Sequence, residues 1–545
     1  MKMRIMGIVI SILLVFAGTA IGAPAEITAE QWSRDLELLR TRVPEVHPDP
    51  FRKTSRQTFD DSIDTLIARL PNLEPHEVEV AIGEIMASIG DGHTRLTWSL
   101  AGGDDFVQGH SETDPPASSE LLLHTLPVRF GLYAEGVFVE RIDARWGRLA
   151  GASLIRIGRL PTDQAIEALT PVIRHDNELQ LLDLLPMHLV IPEILHARGI
   201  AQEKDRVSIV LRTEAGAEES IELRPLEDGV EVDWTDAFSQ QAGKPLSHQF
   251  LRPGRAPAPG AFDRNYWYEW IPENKTIYLQ YNEVTDQDGE SILDFAQRLR
   301  AFIADHPVER LILDLRYNGG GDNSLNRALL HALIASDRIR GPGRLFVLIG
   351  RGTFSAAMMF ATDLERHLDP VFVGEPTGSS PNHAGDSRKT KLPESGLTLR
   401  ISTLDWQYSG PRDSRSSIEP HIATPPRWRD MISGRDPALD AILAPGDISN
   451  IDGRWEGRMT VQAATYALNL SLSGDTGTLS IPGVADDLPV RIGRDAAGNV
   501  VLAVERDDGG FSFVGRPVGP RIVGHAIYSG VKSSPLVFLL ERASQ

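Results

Sequence analysis

The rhythm of hydrophobic and polar positions divides the 545-residue chain into four successive stretches. From about residue 28 to 90, in "AEQWSRDLELLRTRVPEVHPDPF" and "TFDDSIDTLIARLPNLEPHEVEVAIGEIMASIG", apolar residues recur three and four apart between prolines, which predicts a short helical bundle. Two glycines in "GDGHTRLTWSL" break the last helix and start a strand-like run, and "GGDDFVQGHSETDPPASSE" reads as a polar linker loop. From about 122 to 228 the period becomes two in "LPVRFGLY", "GVFVERID", "RVSIVLRT" and "SIELRPL", with one or two helices between. This predicts a compact, mostly β module of about 100 residues. The middle then alternates strand and helix: "KTIYLQYNEV", "SILDFAQRLRAFIADH", "VERLILDLR", "SLNRALLHALIAS", "RLFVLIG", "AAMMFATDLERHL" and "PVFVGE". Such alternation predicts βα units on a sheet buried on both faces. Period two returns in "YALNLSLSG", "GTLSIPG", "NVVLAVE", "GFSFVGRPVG" and "PLVFLLE", the pattern of a small antiparallel barrel or sandwich.

Composition narrows the setting. Lys2 and Arg4 precede an apolar run and then Ala23-Pro24-Ala25, so residues 1–25 read as a secretory signal and the expected location is periplasmic or secreted. The run from Ile5 to Ala17 is short of the roughly 20 residues of a spanning helix, and no stable membrane span is expected after cleavage. There is no cysteine, which excludes disulfides, a lipid-anchored cysteine and thiolate metal sites. A formal charge of −20 argues against a nucleic-acid partner. The fifteen histidines are scattered and no His-Glu-x-x-His helix occurs, so neither a metal nor a cofactor is expected.

Candidate chemistry gathers at two successive βα junctions, "ILDLRYNGGGDNS" and "FVLIGRGTFSAA". Loops that follow parallel strands emerge at one edge of a sheet, which brings Gly319, Gly320 and Gly321 near Ser355. By itself Ser355 reads as a helix N-cap. Beside an amide-rich loop it can instead be a nucleophile, with the glycine N–H groups and that of Ala356 facing an oxyanion. Such a serine needs a base. His93 in "DGHT" and His383 in "GEPTGSSPNHAGD" sit in glycine-flanked loops, whereas His367 ends a helix and merely complements its dipole. Loop histidines are more often simply exposed.

"LILDLRYNGGGDN", then "TFSAAMMFA", then "VFVGEPTG" resemble the core of the S41 peptidases, a family that includes carboxyl-terminal processing proteases, tricorn core enzymes and interphotoreceptor retinoid-binding modules. "AGASLIRIGRLP" is similar to part of their PDZ-like domain, and the resemblance spans roughly residues 30 to 445. It implies a multidomain α+β protein: a helical bundle over 26–100, a PDZ-like β module over 118–228 and an S41-type catalytic α/β core of ClpP/crotonase-like form over 229–445. The C-terminal β-barrel or sandwich over 446–545 lies outside the resemblance. It also implies Ser355 as nucleophile, with Gly319 to Gly321 and Ala356 as oxyanion donors. The lysine base of processing proteases is missing from "GEPTGSSPN", with Lys389 and Lys391 the nearest substitutes. The tricorn branch takes its base from the segment before the PDZ-like domain. That makes His93 the base, although the serine which precedes it there is Gly92 here. Its late orienting carboxylate corresponds most nearly to Asp413, with Asp386 and Glu375 as alternatives, and His383 ranks second as base or as a contact for a substrate carboxylate. The implied activity is a serine endopeptidase acting on peptides or unfolded protein. The open alternatives are an esterase-type acyl hydrolase and a non-catalytic binder of peptides or hydrophobic ligands on the same fold.

Overall fold

The computed structural model describes residues 27–98, 100, 122–227, 230, 232–237, 264–443, 450–461, 464–495, 498–504, 510–528 and 536–543. The signal-like stretch and the polar linker lie outside the described residues.

Three helices open the described chain. Thr28 and Gln31 form a capping box ahead of Ala29–Val46, Ser55 accepts from the Thr58 N–H ahead of Arg56–Arg69, and Pro75 opens Pro75–Ala87 behind a second box made by Glu74 and Glu77. Their apolar faces, including Leu36, Leu39, Phe59, Ile63 and Ile82, pack together and against Leu399 and Ile401. Those last two residues belong to strand Thr398–Ile401, which pairs antiparallel with Arg95–Leu96 in the register Arg95↔Arg400 and Leu96↔Leu399. The segment just after the third helix is thereby pinned to a strand about 300 residues away in sequence.

The next module is a seven-stranded sheet whose main path runs Val128–Tyr133, Gly136–Asp143, Ser153–Ile157, Val207–Arg212 and Glu218–Leu223. Helices Thr162–Leu169, Glu178–His188 and Pro192–Ala197 close its core, so it holds more helix than its alternation predicts.

The central sheet has six strands in the order Ile422–Ala423, Val371–Gly374, Leu345–Ile349, Arg310–Asp314, Thr276–Tyr281 and Tyr266–Ile271. All neighbours are parallel except the antiparallel Tyr266–Ile271 edge. Helices Ile292–Asp305, Asn323–Ile334 and Ala356–Leu368 cover one face. The other face, with Tyr278, Ile312, Phe346 and Val373, is covered by Ala438, Leu439 and Ile442 and by Val518, Val523, Val537 and Leu539 of the C-terminal unit. That unit is a closed antiparallel barrel of eight strands, from Gly453–Val461 to Leu536–Arg542. Closure leaves no free sheet edge, and Trp455, Leu470, Phe513 and Phe538 are among the residues that fill its core. Among the described residues no helix is long and apolar enough to cross a membrane.

The barrel is latched to the sheet domain through Arg458 and His525, and a buried histidine lies beside the contact. Arg458 donates to the carbonyls of Pro420 and His421 at 2.8 and 2.5 Å, and His525 Nε2 donates to the Asp369 carbonyl at 2.9 Å. The Phe372 N–H donates to His421 Nδ1 at 2.9 Å, so that nitrogen must stay unprotonated. Burial, with Arg458 and His525 adding to it, pushes His421 down to about 3 from 6.5. Below pH 6.5 the unfolded chain takes up a proton that the folded chain refuses, so stability falls as pH drops from 6.5 toward 3. Thermal unfolding of His421→Gln, whose amide oxygen can still accept from Phe372, should therefore lose less between pH 7 and pH 4 than wild type does. Parallel losses would contradict a His421 ring held neutral by its burial.

Candidate active site

Strand Arg310–Asp314 is buried along Leu311, Ile312 and Leu313 and delivers the loop "LRYNGGGD" to the sheet edge. Asn318 fixes that loop. Its Nδ2 donates to the Tyr281 carbonyl and its Oδ1 accepts from the Gly320 N–H, both at 2.9 Å, while its carbonyl accepts from the Phe354 N–H at 3.1 Å. The glycine loop and the serine turn are thus tied through one residue, by its side chain on the loop and its carbonyl on the turn. Gly320 has φ +112°, and a Cβ there would lie 2.7 Å from Ser355 Cβ and 3.0 Å from the Ala356 nitrogen. The loop can touch Ser355 only because residue 320 lacks a side chain.

Strand Leu345–Ile349 leads into the serine turn, braced by Thr353, whose hydroxyl donates to the Leu315 carbonyl at 2.9 Å and accepts from the Gly350 N–H at 3.1 Å. Ser355 itself has φ 52° and ψ −124°. A non-glycine residue there costs on the order of 1–3 kcal/mol, the kind of strain found at sharp strand-to-helix turns that present a nucleophile. Its side chain makes no capping hydrogen bond to helix Ala356–Leu368. Ser355 Oγ lies instead 2.9 Å from His93 Nε2.

His93 follows the third helix through Asp91 and Gly92. A Cβ on Gly92 would meet Gln180 Oε1 at 2.4 Å and Phe354 at 2.8 Å, and the Gly92 N–H donates to Asp176 Oδ1 at 2.7 Å. The imidazole stacks on Phe354 with centroids 4.4 Å apart and runs parallel to His383 at 5.7 Å. His383 Nδ1 donates to the Ser380 carbonyl at 2.8 Å, and burial lowers its proton affinity, so it stands as a neutral wall beside His93.

The carboxylate that faces His93 is Asp91. Its Oδ1 accepts the His93 backbone N–H at 2.8 Å and lies 3.8 Å from His93 Nδ1. That separation is too long for a hydrogen bond, and His93 Nδ1 is buried with no other partner among the described residues. Contacts of this kind are often long in unliganded sites and tighten as charge develops. Asp91 Oδ2 accepts from Thr94 and Ser402 hydroxyls at 2.5 Å each and from His47 Nε2 at 3.1 Å. Burial works against its charge, but the hydrogen bonds from His47 and His93 outweigh it and hold Asp91 well below the ordinary carboxylate range.

Asp413 stands elsewhere. Its carboxylate accepts from Ser409 at 2.5 Å and from Arg415 at 2.8 Å, and Arg415 also pairs with Glu365 on the serine helix at 2.7 Å. Burial opposes its charge, yet Arg415 and Ser409 bring it down to about 2. It braces that helix rather than the imidazole, because residues 409–415 fold back on themselves. Glu375 pairs with Arg351 at 2.5 Å, Asp386 accepts from Trp406 at 2.9 Å, and Lys389 and Lys391 occupy exposed strand positions. The Gly320 N–H is spent on Asn318, which leaves those of Gly319, Gly321 and Ala356, which engage no acceptor among the described residues. Asp91, His47, Thr94 and Ser402 had no place in the sequence-based site. For Asp91 the signal was present, as a carboxylate two residues before His93.

No protein-family model and no curated protein matches the sequence. Solved structures do match. The chain shares the fold of mature CPAF. The CPAF complex with lactacystin aligns at TM-score 0.51 and 12% identity, over 74% of this chain and 96% of that one. A serine-to-alanine mutant of CPAF aligns at 0.51 and 13%, over 74% and 95%. The photosystem II D1 C-terminal processing protease is a looser neighbour, at TM-score 0.34 and 13% identity over 76% and 97%. These neighbours are S41 peptidases, and at such identities the likeness to CPAF is one of fold.

A serine paired in this way should react with a fluorophosphonate. Wild type should add one phosphonyl group at Ser355 by intact-mass measurement, and Gly320→Ala, whose methyl group meets Ser355, should react at least about tenfold more slowly. Equal rates would show that the glycine loop does not border the reacting atom.

Proposed function

We propose that the protein is a serine peptidase. The observation that carries the reading is the 2.9 Å contact between His93 Nε2 and the hydroxyl of Ser355, on a residue held at positive φ beside Gly320. His93 takes the hydroxyl proton as Ser355 Oγ bonds to the substrate carbonyl carbon. Asp91, fixed and ionised, stabilises the imidazolium that forms at Nδ1. The N–H of Ala356 and those of Gly319 and Gly321 receive the oxyanion, next to the positive end of the serine helix. His93 then passes its proton to the departing amine, and water, deprotonated by the same nitrogen, releases the acyl group and restores Ser355.

Extended, unfolded segments suit this site. Strand Val128–Tyr133 ends the path of its sheet and carries Leu132, whose carbonyl accepts from Arg351 Nη1 at 3.2 Å, four residues before Ser355. We read the module as PDZ-like, a strand edge that takes up a peptide and hands it to the serine. The peptide reading is favoured over ester hydrolysis by this edge.

The test is to incubate the protein with unfolded proteins and compare new termini by mass spectrometry. Wild type should generate termini that Ser355→Ala does not. His93→Ala and Asp91→Asn should each lower kcat by a factor on the order of 10³ to 10⁴. Termini produced equally by Ser355→Ala would overturn the reading. A peptide with a free C-terminus should also be cut faster than its amidated form, and equal rates would remove end recognition from the module.

A further inference from the structure

The catalytic array extends one residue beyond the carboxylate. His47 lies at the C-terminal end of helix Ala29–Val46, 46 positions before His93, and is 6% exposed. The Asp49 N–H donates to His47 Nδ1 at 3.0 Å, which makes that nitrogen an acceptor and puts the proton of the neutral ring on Nε2. Nε2 then donates to Asp91 Oδ2 at 3.1 Å. The tautomer is therefore set by the backbone of the "HPDP" turn, and it directs a single N–H at the oxygen that does not face His93.

We propose that His47 is a positioning residue for this reaction: it acts through Asp91 to hold Oδ1 toward His93 Nδ1, forming the line His47, Asp91, His93, Ser355. This inference rests on the peptidase reading above. Three donors on Oδ2, from His47, Thr94 and Ser402, draw that oxygen away from the imidazole and fix the plane of the carboxylate. The two hydroxyl donors sit on the segments joined by the Arg95↔Arg400 register, whereas His47 comes from the first helix. The first helix thus has a part in catalysis as well as in packing. It also follows that a chain with this helix undocked has an intact serine and an idle base.

The experiment is burst titration with a p-nitrophenyl ester on the full chain, which separates the number of competent sites from the rate at each. His47→Phe keeps the ring volume and removes the donor. We expect a burst amplitude close to wild type, KM nearly unchanged, and a per-site kcat lower by roughly 10- to 100-fold, the scale of a small misplacement of a catalytic group. His47→Gln, which can donate to Asp91 and accept from Asp49, should recover most of that rate. A purely structural role predicts the reverse, a smaller burst with normal turnover at each remaining site, and that result would overturn the proposal. So would a His47→Gln rate as low as that of His47→Phe. If His47→Phe does not fold, His47→Ala takes its place: added imidazole should raise its per-site rate, and no rise would overturn the proposal. A full burst from Ser355→Ala would instead reject the serine reading itself, independently of His47.

Discussion

A buried, ionised carboxylate is the constraint around which this site is organised. Asp91 is 5% exposed, and taking such a group out of water costs several kcal/mol even after the surroundings relax. Hydrogen bonds to a charged acceptor contribute about 1.5–3 kcal/mol each, so the His47, Thr94, Ser402 and His93 backbone donors are together of the right size to offset that cost. Remove the donors and the charge has no reason to stay. Keep them, and a negative charge stands fixed beside His93, as the proposed proton transfer requires.

The donors reach Asp91 from widely separated parts of the chain, and the fold explains how. Pairing of Arg95–Leu96 with Thr398–Ile401 sets Ser402 beside the loop that carries Asp91 and His93. The parallel central sheet sets the glycine loop beside the serine turn, since strands Arg310–Asp314 and Leu345–Ile349 are neighbours. The two halves meet at the His93 to Ser355 contact, where Phe354 forms a wall for the imidazole. The barrel takes no part in this contact. It covers the face of the sheet opposite the serine helix and so keeps rigid the strands from which both loops emerge.

Much of this architecture was legible because periodicity is local. The runs "VERLILDLR", "RLFVLIG" and "AAMMFATDLERHL" became the strand, strand and helix their patterns predict. The antiparallel edge Tyr266–Ile271 was not read, because "YWYEWI" has neither alternation nor an amphipathic face. A barrel could not be separated from a sandwich, since closure depends on pairing of the first strand with the last. The juxtaposition of Ser355 and His93 came from motif resemblance rather than from pattern. The carboxylate went to Asp413 for lack of any local sign that Arg415 would take it. His47 and Ser402 were invisible for a similar reason: each matters only through a tertiary contact with Asp91, and neither lies in a motif.

A crystal structure of the fluorophosphonate-treated protein would show directly whether Asp91, His93 and Ser355 act together. Phosphorus should be bonded to Ser355 Oγ, with the phosphoryl oxygen within about 2.7–3.1 Å of the Ala356 nitrogen and a glycine-loop nitrogen, and His93 Nδ1 drawn from 3.8 Å to hydrogen-bond distance of Asp91 Oδ1. An adduct whose phosphoryl oxygen points to solvent, with His93 turned away from Asp91, would contradict it.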